Sequence, residues 1–520
     1  MKKAIKLIVL VALCSFGRGV AQNVIPLSEA EDTAHIMGKG YWQQWNEDVQ
    51  RRIDADIERN RKADATLQLG DVKRGTTVEV RQVKSAFYVG AQVFNFNQLG
   101  TPERNLKYKE LWGTLFNSVT VPFYWKTYEP LPGQARTGYQ YIDTEAFWNA
   151  LSVPEDLYFW RRPAPEPIID YMKERGVRVH GHTIVWGSRA SHIPEWILDT
   201  LAPEQEREEF SKMIVSRDQW EGKYTQAYKD LTTEQIEQRF PGLIRVMNEQ
   251  FTRRMTDIAE YYGDRVDSWD IVNESALDNY HHLLVPHAKV TKSHFGLMPG
   301  DYVYESFKLA ENVFPKQAKL NINDYVTSNS YTDLVKDLLN RGCKIDVIGM
   351  QSHIFDPEDA LRLSRGEKMS TPHEMSESPD KIRQVLDSLS VIGLPIHISE
   401  ITIPAPSADA RGEMIQAIIT RNLYRIWFSQ ERVNGITWWN VVDNCGLKGE
   451  PSNTGLFTRD MEPKPAFYAL DQLVNKEWKT NLTLKATRKG EVHFRGFRGT
   501  YLVSWVDSHN EQHEMEYVLK

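Results

Sequence analysis

The chain has 520 residues, 41% of them hydrophobic and 26% charged, with a net charge of -7. That is the composition of a folded globular protein, long enough for one large barrel and a smaller module. The negative balance offers nothing for nucleic acid or an anionic membrane to hold, and three cysteines are too few for a disulfide scaffold and lack zinc-ligand spacing.

Lys2, Lys3 and Lys6 precede a short apolar run from Leu7 to Phe16, and Gly19-Val20-Ala21 supplies a small-x-small cleavage site. Residues 1–21 therefore read as an export signal, with the remainder expected in the periplasm, at the cell surface or outside the cell. Leu13 before Cys14 argues against a lipid anchor, and no later run is long enough to span a membrane. Within 22–84, Trp42, Trp45, Val49, Ile53 and Ile57 recur at helical spacing, predicting a helix over 41–60. Short alternating runs follow near Leu67 and Val78.

From 85 to 475, eight apolar strand-like runs alternate with helical segments: 87–96, 117–121, 177–186, 268–273, 319–323, 347–351, 395–401 and 435–441. Strands separated by helices pair in parallel. Eight such units predict a (β/α)8 TIM barrel, with a doubly wound open sheet as the alternative. Residues 476–520 return to period-two strands. They are expected to join those of 64–83 in a small accessory β-module built from the N- and C-terminal segments. The connections 131–164, 187–240 (with Trp196 and Trp220) and 275–300 are long and belong to the catalytic face of such a barrel.

Two strands end in a glutamate, Trp269-Asp270-Ile271-Val272-Asn273-Glu274 and Ile396-His397-Ile398-Ser399-Glu400. Strand C-termini carry the chemistry of these barrels. Two facing carboxylates, one acid and one nucleophile, are the minimum for cleaving a glycosidic bond, and in a retaining enzyme they stand about 5–5.5 Å apart. Other strand ends are also distinctive: His180-Gly181-His182-Thr183-Ile184-Val185-Trp186, Asn321-Ile322-Asn323-Asp324-Tyr325, Gly349-Met350-Gln351-Ser352-His353 and Ile436-Thr437-Trp438-Trp439-Asn440.

With these motifs in this order, residues 85–475 resemble glycoside hydrolase family 10, the family of endo-β-1,4-xylanases. The resemblance implies that Glu274 is the acid/base and Glu400 the nucleophile of an exported retaining hydrolase acting on a polysaccharide or oligosaccharide, with no cofactor and no metal. Asn273 matches the asparagine that holds the sugar 2-hydroxyl, and His353 the histidine on the nucleophile, with Gln351 beside it. Lys126, His182 and Trp186 match residues lining the sugar position at the scissile bond. Trp439 matches its platform, and Tyr325 an aromatic on the leaving-group side. His180 reads as structural.

The chain also departs from the family. Pro122 and Phe123 replace a glutamate and an asparagine that grip the next sugar, and Phe123, Tyr124 and Trp125 become candidates for stacking. Gly187-Ser188-Arg189 replaces His-Ser-Gln, and Arg189 becomes a candidate for a uronic-acid carboxylate. Leu447 replaces a second tryptophan. Exo action, a decorated substrate, and a catalytically silent glycan-binding protein are the alternatives.

Overall fold

The computed structural model describes residues 25–70, 72–137, 143–217, 223–371, 373–447 and 449–520. The export-signal reading of 1–21 and the position of Trp220 lie outside them.

Eight barrel strands follow in chain order: strand one Tyr88–Gln92, two Ser118–Pro122, three Arg178–His182, four Ser268–Asn273, five Lys319–Asp324, six Val347–His353, seven Ile396–Thr402 and eight Val433–Trp438. Each pairs in parallel with its neighbours, and strand eight closes on strand one. The chain is thus a closed (β/α)8 barrel and not an open sheet. Strand three pauses after His182 and pairs again at Val185–Trp186 beside strand four. Strands four and seven are buried at every position. Axis and helix layer cover both faces, so their polar residues, Asp270 and His397 among them, are buried along with the apolar ones.

The helices between strands start on conventional signals. Thr101 accepts from Arg104 N ahead of Pro102–Leu115, Ser378 caps Pro379–Ser390, and Asp409 caps Ala410–Ser429. The single helix expected over 41–60 is two, Lys39–Gln44 and Glu47–Arg61. The side chain of Asn46 accepts from Val49 N and starts the second. This second helix lies on the barrel through Arg383 to Asp56 and Gln50 to Asn422, at 2.8 and 2.7 Å.

Outside the barrel, Thr77–Ser85 pairs antiparallel with both Asn481–Lys485 and Gly499–Val506, and the latter with Gln512–Leu519. Lys62–Gln68 pairs with Glu491–Phe497. Strands from both ends of the chain therefore share one small core, including Leu67, Val80, Phe494, Tyr501 and Val503. Each strand alone would leave an unpaired edge.

The long connections are partly structured. Residues 275–300 fold into Ala276–Tyr280 and a hairpin of Val290–Ser293 with Gly296–Pro299. Among the described residues of 187–240 are a π-helical turn, Ile197–Leu201, and three α-helices, Glu204–Ser211, Gln226–Asp230 and Thr233–Arg239.

Candidate active site

Glu274 is the first residue beyond strand four, with φ at 57°. This left-handed conformation costs a side-chain-bearing residue roughly 1–2 kcal/mol, so the turn must be held from outside. Glu274 N donates to Asn323 O at 2.7 Å, and Asp324 accepts from Ala276 N at 2.8 Å and Val326 N at 3.0 Å. Asp324 is buried, which lifts its pKa to about 6 even though backbone N–H groups oppose the rise.

The Glu274 carboxyl accepts from Gln351 Nε2 and Trp186 Nε1, both at 2.9 Å. Burial, then the charges of Glu400 and Asp324, push its pKa up to about 8, and the two donors only partly offset them. At neutral pH Glu274 holds a proton it can give.

Glu400 has the opposite surroundings. Its Oε1 accepts from Asn323 Nδ2 at 2.7 Å and lies 3.8 Å from His182 Nε2. Its Oε2 is 3.2 Å from His353 Nε2, and His353 Nδ1 is 2.8 Å from Thr402 Oγ1. A carboxylate only accepts, so the proton of His353 is assigned to Nε2, and Nδ1 accepts from the threonine.

Beneath lies a buried ladder. Asp270 Oδ2 meets His182 Nδ1 at 2.8 Å and His180 Nε2 at 2.9 Å, and His180 Nδ1 reaches Ser268 Oγ at 2.8 Å. Burial disfavours charge on His182, but Asp270, Glu400 and Glu274 outweigh it and raise its pKa above the usual value. Against its own burial, the two imidazoles hold Asp270 far below the usual carboxylate range. Glu400 is thus faced by Asn323, His353 and His182, whereas at Glu274 burial and negative charge outweigh its two donors.

Register brings the two glutamates together. Gln351 is the strand-six partner of Glu400 and donates to Glu274. Asn323 Nδ2 serves both Glu400 and Asn273 Oδ1, the latter at 2.7 Å, and Asn323 Oδ1 accepts from Ser399. A Cβ on Gly349 would come within 2.3 Å of Asn323 Oδ1, so strand six must be bare there. Sequence reasoning gave Asn323, Asp324 and Asp270 no role, although all three stand in the strand-end runs.

Trp439, Phe94, Tyr124, Trp186 and Phe295 form a separate buried aromatic cluster at this mouth. Trp439 lies 5.4 Å from the His182 ring and 5.1 Å from Phe94. Lys126 is half-buried, with Nζ 3.4 Å from Arg189 O. Tyr325 is half-buried directly after Asp324.

Three expectations are corrected. Phe123 faces the core, against Trp269, Tyr262 and Tyr128. Trp125 is buried against Trp196 and Phe251, which leaves Tyr124 as the residue of that trio in the site. Arg189 is no open cation, since its Nη2 donates to Glu195 at 2.6 Å. The departure at Gly187 has a steric cause, because a Cβ there would lie 2.7 Å from Phe295.

The chain is similar to several known proteins. The chain is 26% identical over 331 residues to endo-1,4-beta-xylanase A of Halalkalibacterium halodurans, covering 60% of this chain and 72% of that one. It is 23% identical over 316 residues to endo-1,4-beta-xylanase A of Thermoanaerobacterium saccharolyticum, covering 59% of this chain and only 22% of that longer protein. Native xylanase 10B from Thermotoga maritima superposes with a TM-score of 0.48 at 20% identity, over 75% of this chain and 96% of that one. The model of the family described as Glycosyl hydrolase family 10 matches residues 81–473, three-quarters of the sequence, and the chain belongs to that family.

Proposed function

We propose that the protein is a retaining β-glycoside hydrolase that cleaves xylan or a related β-linked polysaccharide internally. Glu274 protonates the glycosidic oxygen as Glu400 attacks the anomeric carbon. The leaving sugar departs, and a glycosyl ester forms on Glu400. Glu274, now ionised, takes a proton from water, which attacks the same carbon and frees Glu400 with net retention. Asn273 and Asn323 brace the sugar and the nucleophile through their shared hydrogen bond. The observation that carries this reading is the opposed setting of the two carboxyls, one holding its proton to about pH 8 and the other facing Asn323, His353 and His182. We also propose that residues 1–21 direct export.

The test is a screen of β-linked polysaccharides with anomer-resolved NMR of the first products. Retention predicts the β-anomer first. Release of the α-anomer first, or no release from any β-linked glycan, would sink the proposal.

Asn323→Ala should lower kcat/KM on the substrate so found by roughly 10–100-fold, the value of a hydrogen bond to a charged group. Steady-state kinetics reads this directly, and a change under threefold would remove Asn323 from the nucleophile's support.

A further inference from the structure

The connection between strands two and three brings two successive arginines to the aromatic mouth of the barrel. Arg161, at φ 63°, is fully buried. Its Nη2 donates to Asn440 Oδ1 at 2.6 Å and lies 3.4 Å from Glu450 Oε2, while its Nε and Nη1 have no partner.

Arg162 is 8% exposed. Its guanidinium stacks on Tyr124 at 4.0 Å and on Phe94 at 4.6 Å, while Phe94 packs on Trp439 and Tyr124 on His182 and Trp186. Arg162 therefore stands one ring away from the groups around both glutamates. Tyr124 lies in the fields of Arg162, Glu400, Arg161 and Glu274 together.

Among the described residues nothing offers the charge of Arg162 a counter-charge within ion-pair distance. Among the described residues its guanidinium makes one hydrogen bond, from Nη1 to the backbone oxygen of Arg161 at 3.0 Å. Among the described residues no carboxylate pairs with it, and Glu450 acts on it only from a distance. Burial draws its pKa down to about 10, so it stays charged at neutral pH. A largely buried cation without a counter-charge is costly. Here two aromatic faces fix its plane, and Nε and Nη2 have no hydrogen-bond partner among the described residues, which suits the planar, two-point recognition that arginine gives oxyanions.

We infer that Arg162, backed by Arg161, forms an anion subsite beside the cleavage point, and that the glycan accepted there carries an acidic group, a uronic carboxylate or a sulfate ester, on a sugar adjoining the cleaved bond. This rests on the glycoside hydrolase reading above and assigns its substrate class. Phe123, just before the Tyr124 on which Arg162 stacks, is turned into the core, and Leu447, whose N donates to the Glu450 carboxylate beside Arg161, is 37% exposed. Neutral sugars offer this cation no counter-charge.

The test uses the full chain carrying Glu400→Gln, which binds without turnover. Calorimetry compares uronic-acid-bearing xylo-oligosaccharides with their carboxyl-reduced forms, and sulfated β-linked oligosaccharides with their desulfated forms. One charged form should bind roughly tenfold to a hundredfold more tightly than its neutral counterpart, as a charge-assisted pair provides, and the arm that responds identifies the acid. Adding Arg162→Gln should erase that preference, and Arg162→Lys should keep part of it. The proposal is overturned if no charged form outbinds its neutral counterpart, or if Arg162→Gln weakens both members of a pair equally. If the glutamine variant does not fold, the comparison within the parent protein and the lysine variant still decide.

Turnover of the same glycans by unmutated protein separates the two readings. Cleavage without charge preference keeps the hydrolase and loses the subsite. Charge preference without cleavage keeps the subsite and loses the hydrolase.

Discussion

Replacing Glu400 by alanine is expected to lower turnover by at least about 10⁴-fold, the scale seen when a covalent nucleophile is removed, while glycan binding persists. The size follows from what the residue would do. Glu274 cannot substitute for it, because its carboxyl is tied to Gln351 and Trp186. Asn323, His353 and His182 all direct their nitrogens at Glu400 and would face a void. That void, ringed by donors, should admit a small anion. With an activated aryl glycoside, added azide should attack the anomeric carbon in place of Glu400, expel the phenolate and give a glycosyl azide of inverted configuration. Undiminished hydrolysis in the alanine variant, or azide rescue that retains configuration, would remove Glu400 from the nucleophile's place. The same substitution deletes one of the charges that lift the Glu274 pKa, so Glu274 should titrate at lower pH in this variant.

The barrel was legible because its strands are buried on both faces. Ser268–Asn273 and Ile396–Thr402 interleave apolar residues with buried polar ones, and those polar residues build the site. The period-two pattern could show that Asn323 and Asp270 share the strand ends. It could not show that a register pairing of Asn323 with Gly349 sets an amide between Asn273 and Glu400. Phe123 and Trp125 were misassigned for a related reason. The chain leaves strand two and turns at once into Trp125–Tyr128, so alternation no longer predicts direction. Arg161 and Arg162 fall in a connection without periodicity, and their place is fixed by Phe94, Tyr124 and Asn440 from three distant parts of the sequence. Such convergence leaves no local signal.

Glu274→Gln should lower kcat/KM on natural glycosides by about 10²–10⁴-fold, the usual range for a general acid, and its pH behaviour is the sharper test. In the unmutated protein the acid works only while protonated, so activity should fall as pH rises through about 8. Glutamine cannot titrate, and with an aryl leaving group that needs no proton the basic limb should vanish. The first step then stays fast while deglycosylation, deprived of its base, slows, so the phenolate should appear in a burst.

Stability carries the same signature with a definite sign. The Glu274 pKa is raised by folding from 4.5 to about 8. Its contribution to the folded state is therefore complete below about 4.5 and is lost as pH climbs towards 8, where the buried group must ionise beside Glu400. Glutamine has no such loss, and thermal unfolding should show the variant gaining on the unmutated protein between pH 5 and pH 9. Parallel melting curves across that range would mean that Glu274 is ionised throughout, and a carboxylate already ionised has no proton to give the departing sugar.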